Sequence, residues 1–304
     1  MSLDALTDRL FDHAGMFPPA ALGLDDALAV AARFPDDLRR PDMVQNDMVL
    51  TPEHWRTLSD ERFAAAGFKR PCRICLVGID VDEAADVLRE AQEWNDVGGV
   101  ARPARVITTL EMHIPPNMAL GTAVGRVTAG RYLAGGGIDL YVEPKWDDAT
   151  WNARMDDLME MFDDLNADVE LPPVGLKFRA WGDTALSPDT VARLIPVVDE
   201  RAIPLKATQG LHHPLVEGHE QNAMGFVGLA AALRLCDATD MDHDDRVALL
   251  TESDPAAFDF SDGVAWRDHH ADLSQLDVAR VPFSIGSCSL SEPDDDLARL
   301  FSDA

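Results

Sequence analysis

Apolar, strand-like runs alternate with helical patterns along most of the chain, and this alternation restricts the fold more than any other feature. Six strand–helix units are evident. Their strands are PCRICLVGI, ARVITTLEMHI, IDLYVEPKW, VGLKFRAWG, IPLKATQG and VPFSIGSCSLSEP. Two further strands are expected, one in GMFPPAA and one in MVQNDMVL. Eight strands alternating with helices predict an α/β fold of the (β/α)8 TIM-barrel type.

The alternative is an open, doubly wound α/β sheet. No Gly-x-Gly-x-x-Gly motif follows any of the strands, so the dinucleotide-binding signature of such sheets is missing. We therefore expect one TIM-barrel domain over residues 1–304. The polar, acidic stretch at about 240–280 interrupts the alternation and is expected to form an insertion or small subdomain.

The formal net charge of −28 bears on the partners of the chain. Such acidity repels phosphate backbones and anionic lipids, so we expect neither nucleic-acid nor membrane binding. No apolar run reaches about 18 residues, and MSLDALTDRLFDHAG lacks a basic stretch followed by an apolar one, so no spanning helix or signal peptide is predicted. A cytoplasmic protein with a small-molecule substrate is expected, and a homo-oligomer is left open.

Basic residues are unevenly divided, with four lysines and 22 arginines. An acidic, lysine-poor composition resembles that of proteins from salt-accumulating halophiles, where salt screens the repulsion between carboxylates. The four cysteines are too few for a disulfide scaffold at this length. Cys72 and Cys75 are three apart in a predicted strand and should point to opposite faces, so structural, reduced thiols are expected.

In a barrel of this type the active site lies at the carboxyl ends of the strands. Lys177 and Lys206 each follow apolar residues inside a predicted buried strand. Burying an ammonium group is costly without a partner or a task. Crowding of two such groups would lower the pKa of one and free it to form a Schiff base with a carbonyl compound. The alternatives are binding of a substrate anion and a structural ion pair with Glu111 or Glu143.

The segments LKFRAWG and LKATQG resemble the sixth- and seventh-strand lysine motifs of class I aldolases of the deoxyribose-phosphate aldolase type. This resemblance implies that Lys177 forms the imine and that Lys206 tunes it. The Thr-Ser/Thr-Gly run and the Gly-Gly phosphate turn that follow the two lysines in that family are replaced here. The replacements, at 178–181 and 209–212, make a phosphorylated substrate less expected.

A second resemblance extends over the whole chain. DHAGMFPPAA, PLKATQGLHHPL, GFVGLAAAL and FSIGSCSLSEP are similar to signature segments of a family of uncharacterised bacterial and plant proteins. This resemblance implies a single enzyme-like fold and names no reaction.

The remaining site residues are assigned from their places at the predicted strand ends. Glu111, Glu143 and His212 are candidates for proton transfer, since histidine titrates near neutral pH. Arg179 shares a strand face with Lys177 and could clamp a carboxylate with two hydrogen bonds. The other expected substrate-binding residues are Asp12, His213, Ser287 and Ser289, the serines as a weak anion site.

Three functions therefore remain open at this stage. The leading hypothesis is an aldolase-type carbon–carbon lyase that acts on a small carbonyl or carboxylate compound through a lysine Schiff base and needs no cofactor. The first alternative is a metal-dependent sugar isomerase or lyase, in which Glu111, Glu143 and a histidine hold a divalent metal. The second is a non-catalytic, ligand-binding barrel protein whose lysines are neutralised in pairs. No metal ligands are assigned under the leading hypothesis.

Overall fold

A nine-stranded parallel sheet forms a nearly closed barrel at the centre of the computed structural model, which describes residues 2–97, 105–216, 224–272 and 281–301. The strands are β1 (Phe11–His13), β2 (Val44–Asn46), β3 (Met48–Leu50), β4 (Cys72–Asp80), β5 (Arg105–Ile114), β6 (Asp139–Pro144), β7 (Gly175–Arg179), β8 (Leu205–Thr208), β9 (Phe258–Asp259), β10 (Gly263–Trp266), β11 (His269–Asp272) and β12 (Phe283–Ser287). Within the large sheet the order is β2-β1-β12-β8-β7-β6-β5-β4-β3.

The two edge strands of this sheet, β2 and β3, are separated by the single residue Asp47. Together they fill one strand position, with a break at Asp47. The barrel therefore has the eight strand positions of a TIM-barrel-like fold. The predicted fold class is confirmed, and the open doubly wound sheet is not observed. Asp47 is fully buried, and its carboxylate accepts hydrogen bonds from the Arg70 side chain and the backbone N–H of Arg73.

Helices cover the outside of the barrel. They are α1 (Ser2–Thr7), α2 (Leu24–Asp37), α3 (Pro52–Arg56), α4 (Asp60–Ala66), α5 (Ala84–Val97), α6 (Leu120–Ala134), α7 (Asp148–Leu165), α8 (Pro188–Glu200), α9 (Phe226–Ala238), α10 (His243–Leu250) and α11 (Ser291–Leu300). Two helices begin with side-chain caps: Asp147 accepts from the N–H of Thr150 at 2.8 Å, and Ser187 accepts from that of Thr190 at 3.2 Å. Across the described ranges, every helix is either too short or too polar to span a membrane.

Side-chain alternation along β4 separates the helix layer from the barrel interior. Cys72, Ile74 and Leu76 pack in the large apolar core beneath the helices, whereas Cys75 and Val77 belong to a small separate cluster with Val49. This period-two pattern confirms that Cys72 and Cys75 point to opposite faces of the strand. All four cysteines are free thiols.

The first barrel strand lies earlier in the sequence than predicted. It consists of Phe11–His13, and the expected strand GMFPPAA instead forms turns that include a cis Pro18–Pro19 peptide. Proline has no N–H to donate to a ladder, which is why this apolar stretch does not pair. The MVQNDMVL run contains two short strands, because the buried Asp47 interrupts it.

The acidic stretch at about 240–280 contains helix α10 followed by the antiparallel sheet β9–β10–β11. Phe258 and Phe260 stack on each other and meet the ring of Phe301 edge-on. Trp266 is fully buried, and its indole N–H donates to Glu252 at 3.2 Å. The ring contacts with Phe301 attach the segment to the residue that follows α11, and the Trp266 hydrogen bond lies within the segment. The last part of the predicted insertion lies outside the described residues.

Candidate active site

A cavity of about 650 Å³ opens at the carboxyl ends of the barrel strands. Of the sequence-predicted site residues, six line it: Glu111, Glu143, Lys177, Arg179, His212 and His213. Lys206 and Asp12 do not line the cavity and are completely enclosed in the barrel, with 1% and 0% of their surfaces exposed. The two predicted lysines therefore differ in access, and only Lys177 faces the space that a ligand could occupy.

Glu111 joins the two lysines. Its Oε2 atom lies 2.5 Å from the ammonium nitrogen of Lys177, and its Oε1 atom lies 2.6 Å from that of Lys206. Parallel pairing explains the arrangement, since Lys177 and Lys206 are register partners on β7 and β8. Their side chains must then point to the same face of the sheet. The two lysines on adjacent strands thus meet at one carboxylate, although only Lys177 lines the cavity.

Lys206 is further held by an ion pair with Asp12 on β1. Its nitrogen also lies 3.5 Å from the sulfur of Cys75 and 5.4 Å from the ring centre of Tyr141. Asn46 donates a hydrogen bond of 2.8 Å to the second oxygen of Asp12. This ammonium is thus enclosed by protein groups, with the carboxylates of Asp12 and Glu111 as its charged partners.

Glu143 forms a second charged centre, nearer the opening of the cavity. It accepts from Lys145 at 2.6 Å and from Arg179 at 2.5 Å on one oxygen, and its other oxygen lies 3.2 Å from Lys177. Three cations thus share one carboxylate. Lys177 stands between the two centres, because it touches both Glu111 and Glu143.

The two lysines do not show the lowered pKa that crowding was expected to produce. Burial acts to lower the pKa of Lys177, but contact with Glu111 and Glu143 outweighs it and raises that pKa. Burial opposes the charge of Lys206 in the same way, and Asp12 and Glu111 raise its pKa well above the usual value. The expectation failed because it counted the repulsion between two ammonium groups and not the carboxylates placed between them.

The pKa values of the three buried carboxylates shift in different directions. Burial acts to raise the pKa of Glu143, yet Lys177 and the hydrogen bond from Arg179 lower it to about 2. Burial also acts to raise the pKa of Glu111, but the nearby Lys177 and Lys206 outweigh it and lower this pKa. Complete burial prevails at Asp12, whose pKa is raised despite Lys206. Glu111 and Glu143 are therefore anions at neutral pH, balanced by the four cations around them.

The predicted anion site at Ser287 and Ser289 is not formed. Ser287 donates its hydroxyl to the backbone oxygen of Ser289 at 2.6 Å, and neither residue lines the cavity. The Ser289 hydroxyl lies 3.3 Å from that of Ser291 and accepts from the N–H of Glu292 at 3.4 Å. Both serines are used to shape the turn before α11, as their type favours.

A donor set for a metal exists at an unexpected place. Asp12, Cys75 and Glu111 present ligand atoms within 4.8 Å of one another. The Lys206 ammonium already contacts all three, so a resident cation occupies the centre of this set. No group that combines Glu111 and Glu143 with a histidine occurs among the described ranges 2–97, 105–216, 224–272 and 281–301. The donor atoms present therefore do not fit the expected metal site.

Sequence reasoning missed Cys75 as part of this centre and assigned it a structural role. Its thiol donates to Glu111 at 3.1 Å, and burial raises its pKa well above the usual value, so it remains a neutral donor. The alternation of side chains along the strand could have predicted this, because it places Cys75 on the inward face of β4. Lys145, at the end of a predicted strand, was not assigned a role; it lies just after β6, lines the cavity and contacts Glu143.

The wall near β8 and β12 carries two histidines with different partners. The Nδ1 atom of His212 lies 3.8 Å from the Cys288 sulfur, and burial lowers the pKa of this histidine. His213 uses its Nδ1 atom to contact Asp296 on α11 at 2.7 Å. Trp181, with 46% of its surface exposed, also lines the cavity. The cavity thus combines ion pairs, imidazoles and an aromatic surface.

Comparison with models of known protein families gives no match to this chain. Comparison with proteins of curated function gives none either. Neither resemblance drawn from the sequence is tested by these comparisons, so function has to be argued from the chemistry of the cavity.

Proposed function

We propose that the protein is a class I aldolase-like lyase that makes or breaks a carbon–carbon bond next to a carbonyl group through an imine on Lys177. The observation that carries the proposal is the position of Lys177. It is an almost buried lysine that faces the cavity, and its nitrogen contacts the carboxylates of Glu111 and Glu143. An imine supplies an electron sink for the bond that breaks.

Imine formation requires that Lys177 first lose a proton. Its amine then attacks the substrate carbonyl, water leaves, and nitrogen becomes joined to the carbonyl carbon. Because contact with Glu111 and Glu143 raises the pKa of Lys177, the resting protein holds the ammonium form. A substrate carboxylate that binds Arg179 and Lys145 would compete with Glu143 for those cations. Glu143 would then gain proton affinity and could accept the proton of Lys177.

The charges on the cavity wall support an anionic substrate. Lys145, Lys177 and Arg179 face the cavity with Glu111 and Glu143 as their carboxylate partners, and Lys206 adds a further positive charge behind them. In a chain of net charge −28 this is a local concentration of cations. We infer a small keto acid as the substrate class, with its carboxylate at Arg179 and its carbonyl at Lys177.

Borohydride trapping tests the proposal. The protein is incubated with pyruvate and sodium borohydride, and the site of any adduct is found by peptide mass mapping. We expect reductive attachment at Lys177 in the wild type, and none in Lys177→Arg, which keeps the charge that Glu111 and Glu143 require. Lys69, which pairs with Asp36 at the surface, is the control for indiscriminate reduction. The absence of an adduct, or equal labelling of Lys69 and Lys177, would overturn the proposal.

One observation favours a second candidate, a non-catalytic barrel that binds small anions. The raised pKa of both lysines and their contacts with carboxylates fit lysines that are neutralised by partners. Under this candidate pyruvate binds without a borohydride adduct, and Lys177→Met with Lys206→Met leaves binding intact. Calorimetric titration of the double variant, beside the trapping experiment, separates the two candidates.

The setting of the protein is part of the proposal. We infer a cytoplasmic enzyme of a salt-accumulating cell, supported by the net charge of −28 and the scarcity of lysine. The same charge disfavours a nucleic-acid partner. A homo-oligomer is compatible with this setting, and equilibrium sedimentation in concentrated salt measures the state directly.

A further inference from the structure

A histidine–carboxylate pair stands in the cavity wall and has no part in forming the imine. The Nδ1 atom of His213 lies 2.7 Å from Oδ2 of Asp296. The other oxygen of Asp296 accepts a hydrogen bond of 2.8 Å from Arg299, three residues further along α11. Arg299 and Asp296 thus form a chain of contacts that ends at the imidazole of His213.

Both members of this pair belong to anchored parts of the backbone. The carbonyl oxygen of His213 accepts the N–H of Phe226 at 3.1 Å, which ties the loop after β8 to the start of α9. Helix α11 is fixed through Asp294, whose carboxylate accepts the backbone N–H of Arg39 at 2.7 Å. The imidazole is therefore held in one orientation by its carboxylate and by its own main chain.

The contact with Asp296 decides where the proton of His213 resides. A carboxylate accepts from Nδ1–H, which leaves the Nε2 atom of a neutral imidazole with a free lone pair. The same carboxylate stabilises the imidazolium that forms when Nε2 takes up a proton. The neighbouring His212 has the Cys288 thiol at its Nδ1 atom instead, at 3.8 Å. Of the two cavity histidines, His213 has the partner that suits a base.

We propose that His213, positioned by Asp296, is the base that removes a proton from the substrate carbon adjacent to the imine. This inference rests on the proposed function. In the step, the C–H bond breaks and its electrons form a carbon–carbon double bond. The π electrons of the protonated imine move onto the Lys177 nitrogen, and the proton passes to Nε2 of His213. The product is an enamine, which attacks an aldehyde or recovers the proton in the reverse step.

The substrate class follows from this step. The carbon beside the carbonyl must bear hydrogen, so a keto acid with a methyl or methylene group in that position fits. Proton exchange at that carbon can be observed without knowledge of the aldehyde partner. Pyruvate in deuterium oxide is therefore a sufficient probe, and uptake of deuterium into its methyl group is followed by proton NMR.

Within the part of the chain that the structure describes, four charged or titratable groups are relevant to His213. Asp296 and Arg299 belong to α11, Glu292 lies at the start of the same helix, and His212 precedes His213 on its own loop. Asp296 is the one in direct contact with the imidazole. Replacing it by asparagine removes the carboxylate that orients the imidazole, so the exchange rate should fall while the borohydride adduct at Lys177 remains.

The variants are chosen with a matched control. His213→Gln is expected to lower deuterium uptake about 100-fold or more, in line with the usual contribution of a general base. Asp296→Asn should lower it about 10-fold, as expected for a partner that orients an imidazole. The control is His243→Gln, because His243 makes a similar contact with Asp189 at 2.9 Å outside the cavity. This control should exchange at the wild-type rate.

The outcomes separate this inference from the proposed function. If the wild type gives no borohydride adduct with pyruvate, the imine and the inference fall together. If His213→Gln keeps both the adduct and the wild-type exchange rate, the imine stands and the role of His213 is wrong. Should His213→Gln lose the adduct through misfolding, Asp296→Asn decides: a positioning role lowers exchange and keeps the adduct, whereas a purely structural role changes both or neither.

Discussion

Lys177 and Lys206 are register partners on neighbouring strands, and their ammonium groups bond to the two oxygens of the single carboxylate of Glu111. One carboxylate thus pairs with two ammonium groups inside the barrel, and that of Lys206 is shielded from water. Removing either lysine would leave Glu111 with one cation, whereas removing Glu111 would leave two neighbouring ammonium groups with one carboxylate each, Glu143 for Lys177 and Asp12 for Lys206. Glu111 is therefore the residue on which the stability of the centre depends most.

Glu111→Gln removes one of the two carboxylates that each lysine contacts, so it should destabilise the fold by up to about 3–5 kcal/mol, the cost of breaking a buried ion pair completely. The variant keeps the shape of the side chain and loses only its charge. Urea unfolding followed by circular dichroism gives the free energy. The control is Glu90→Gln, since Glu90 pairs with Arg56 at the surface and should change stability by less than about 1 kcal/mol. An equal effect of both substitutions would contradict the importance assigned to the bridge.

The rate of borohydride trapping by pyruvate should rise steeply with pH into the alkaline range. Because Glu111 and Glu143 raise the pKa of Lys177 above its ordinary value of 10.5, the attacking amine becomes common only above that value. Glu143→Gln removes one of these anions and should shift the rise to lower pH, while it slows trapping near pH 7, where Glu143 is proposed to take the proton of Lys177. Initial trapping rates between pH 7 and pH 11 measure the shift. A profile that is flat in pH would show that Lys177 is not the group being titrated.

The fold was largely predictable because the period-two and helical patterns follow directly from burial. Six strands were found where the apolar runs are longest. The first barrel strand was predicted at the wrong place because Phe11–His13 is too short to show alternation. The apolar residues after it looked like a strand, but they include Pro18 and Pro19. The break at Asp47 also escaped prediction. Its buried carboxylate depends on Arg70, a partner that local patterns do not reveal.

The site was predictable only where strand parity applies. The meeting of Lys177 with Lys206 follows from parity and parallel pairing. The direction in which their pKa values shift could not be predicted from parity. It depends on Glu111, which lies on a strand 66 residues earlier in the chain. Asp296 was missed for the same reason: its partner His213 is 83 residues away, and nothing in the acidic start of α11 distinguishes it from its neighbours.

Stability should increase with salt concentration. With a net charge of −28, repulsion between carboxylates opposes the folded state, and the screening length falls from about 10 Å at 0.1 M to about 3 Å at 1 M salt. Urea unfolding in rising potassium chloride measures the effect, because urea adds no ions of its own. Sucrose at matched osmolarity is the control for solute exclusion. Equal stabilisation by sucrose and by salt would argue against charge repulsion as the cause.

His13 should make the protein sensitive to mild acid. Burial lowers its pKa from 6.5 to about 4, against the backbone hydrogen bond to Asp47. The unfolded chain therefore binds this proton more readily, and stability that is present above pH 6.5 is lost as the pH falls towards 4. The loss amounts to about 3 kcal/mol. His13→Gln should flatten this part of the profile of unfolding free energy against pH, whereas His54→Gln, at an exposed helix start, should leave it unchanged. Equal slopes for the wild type and His13→Gln would show that another group causes the acid sensitivity.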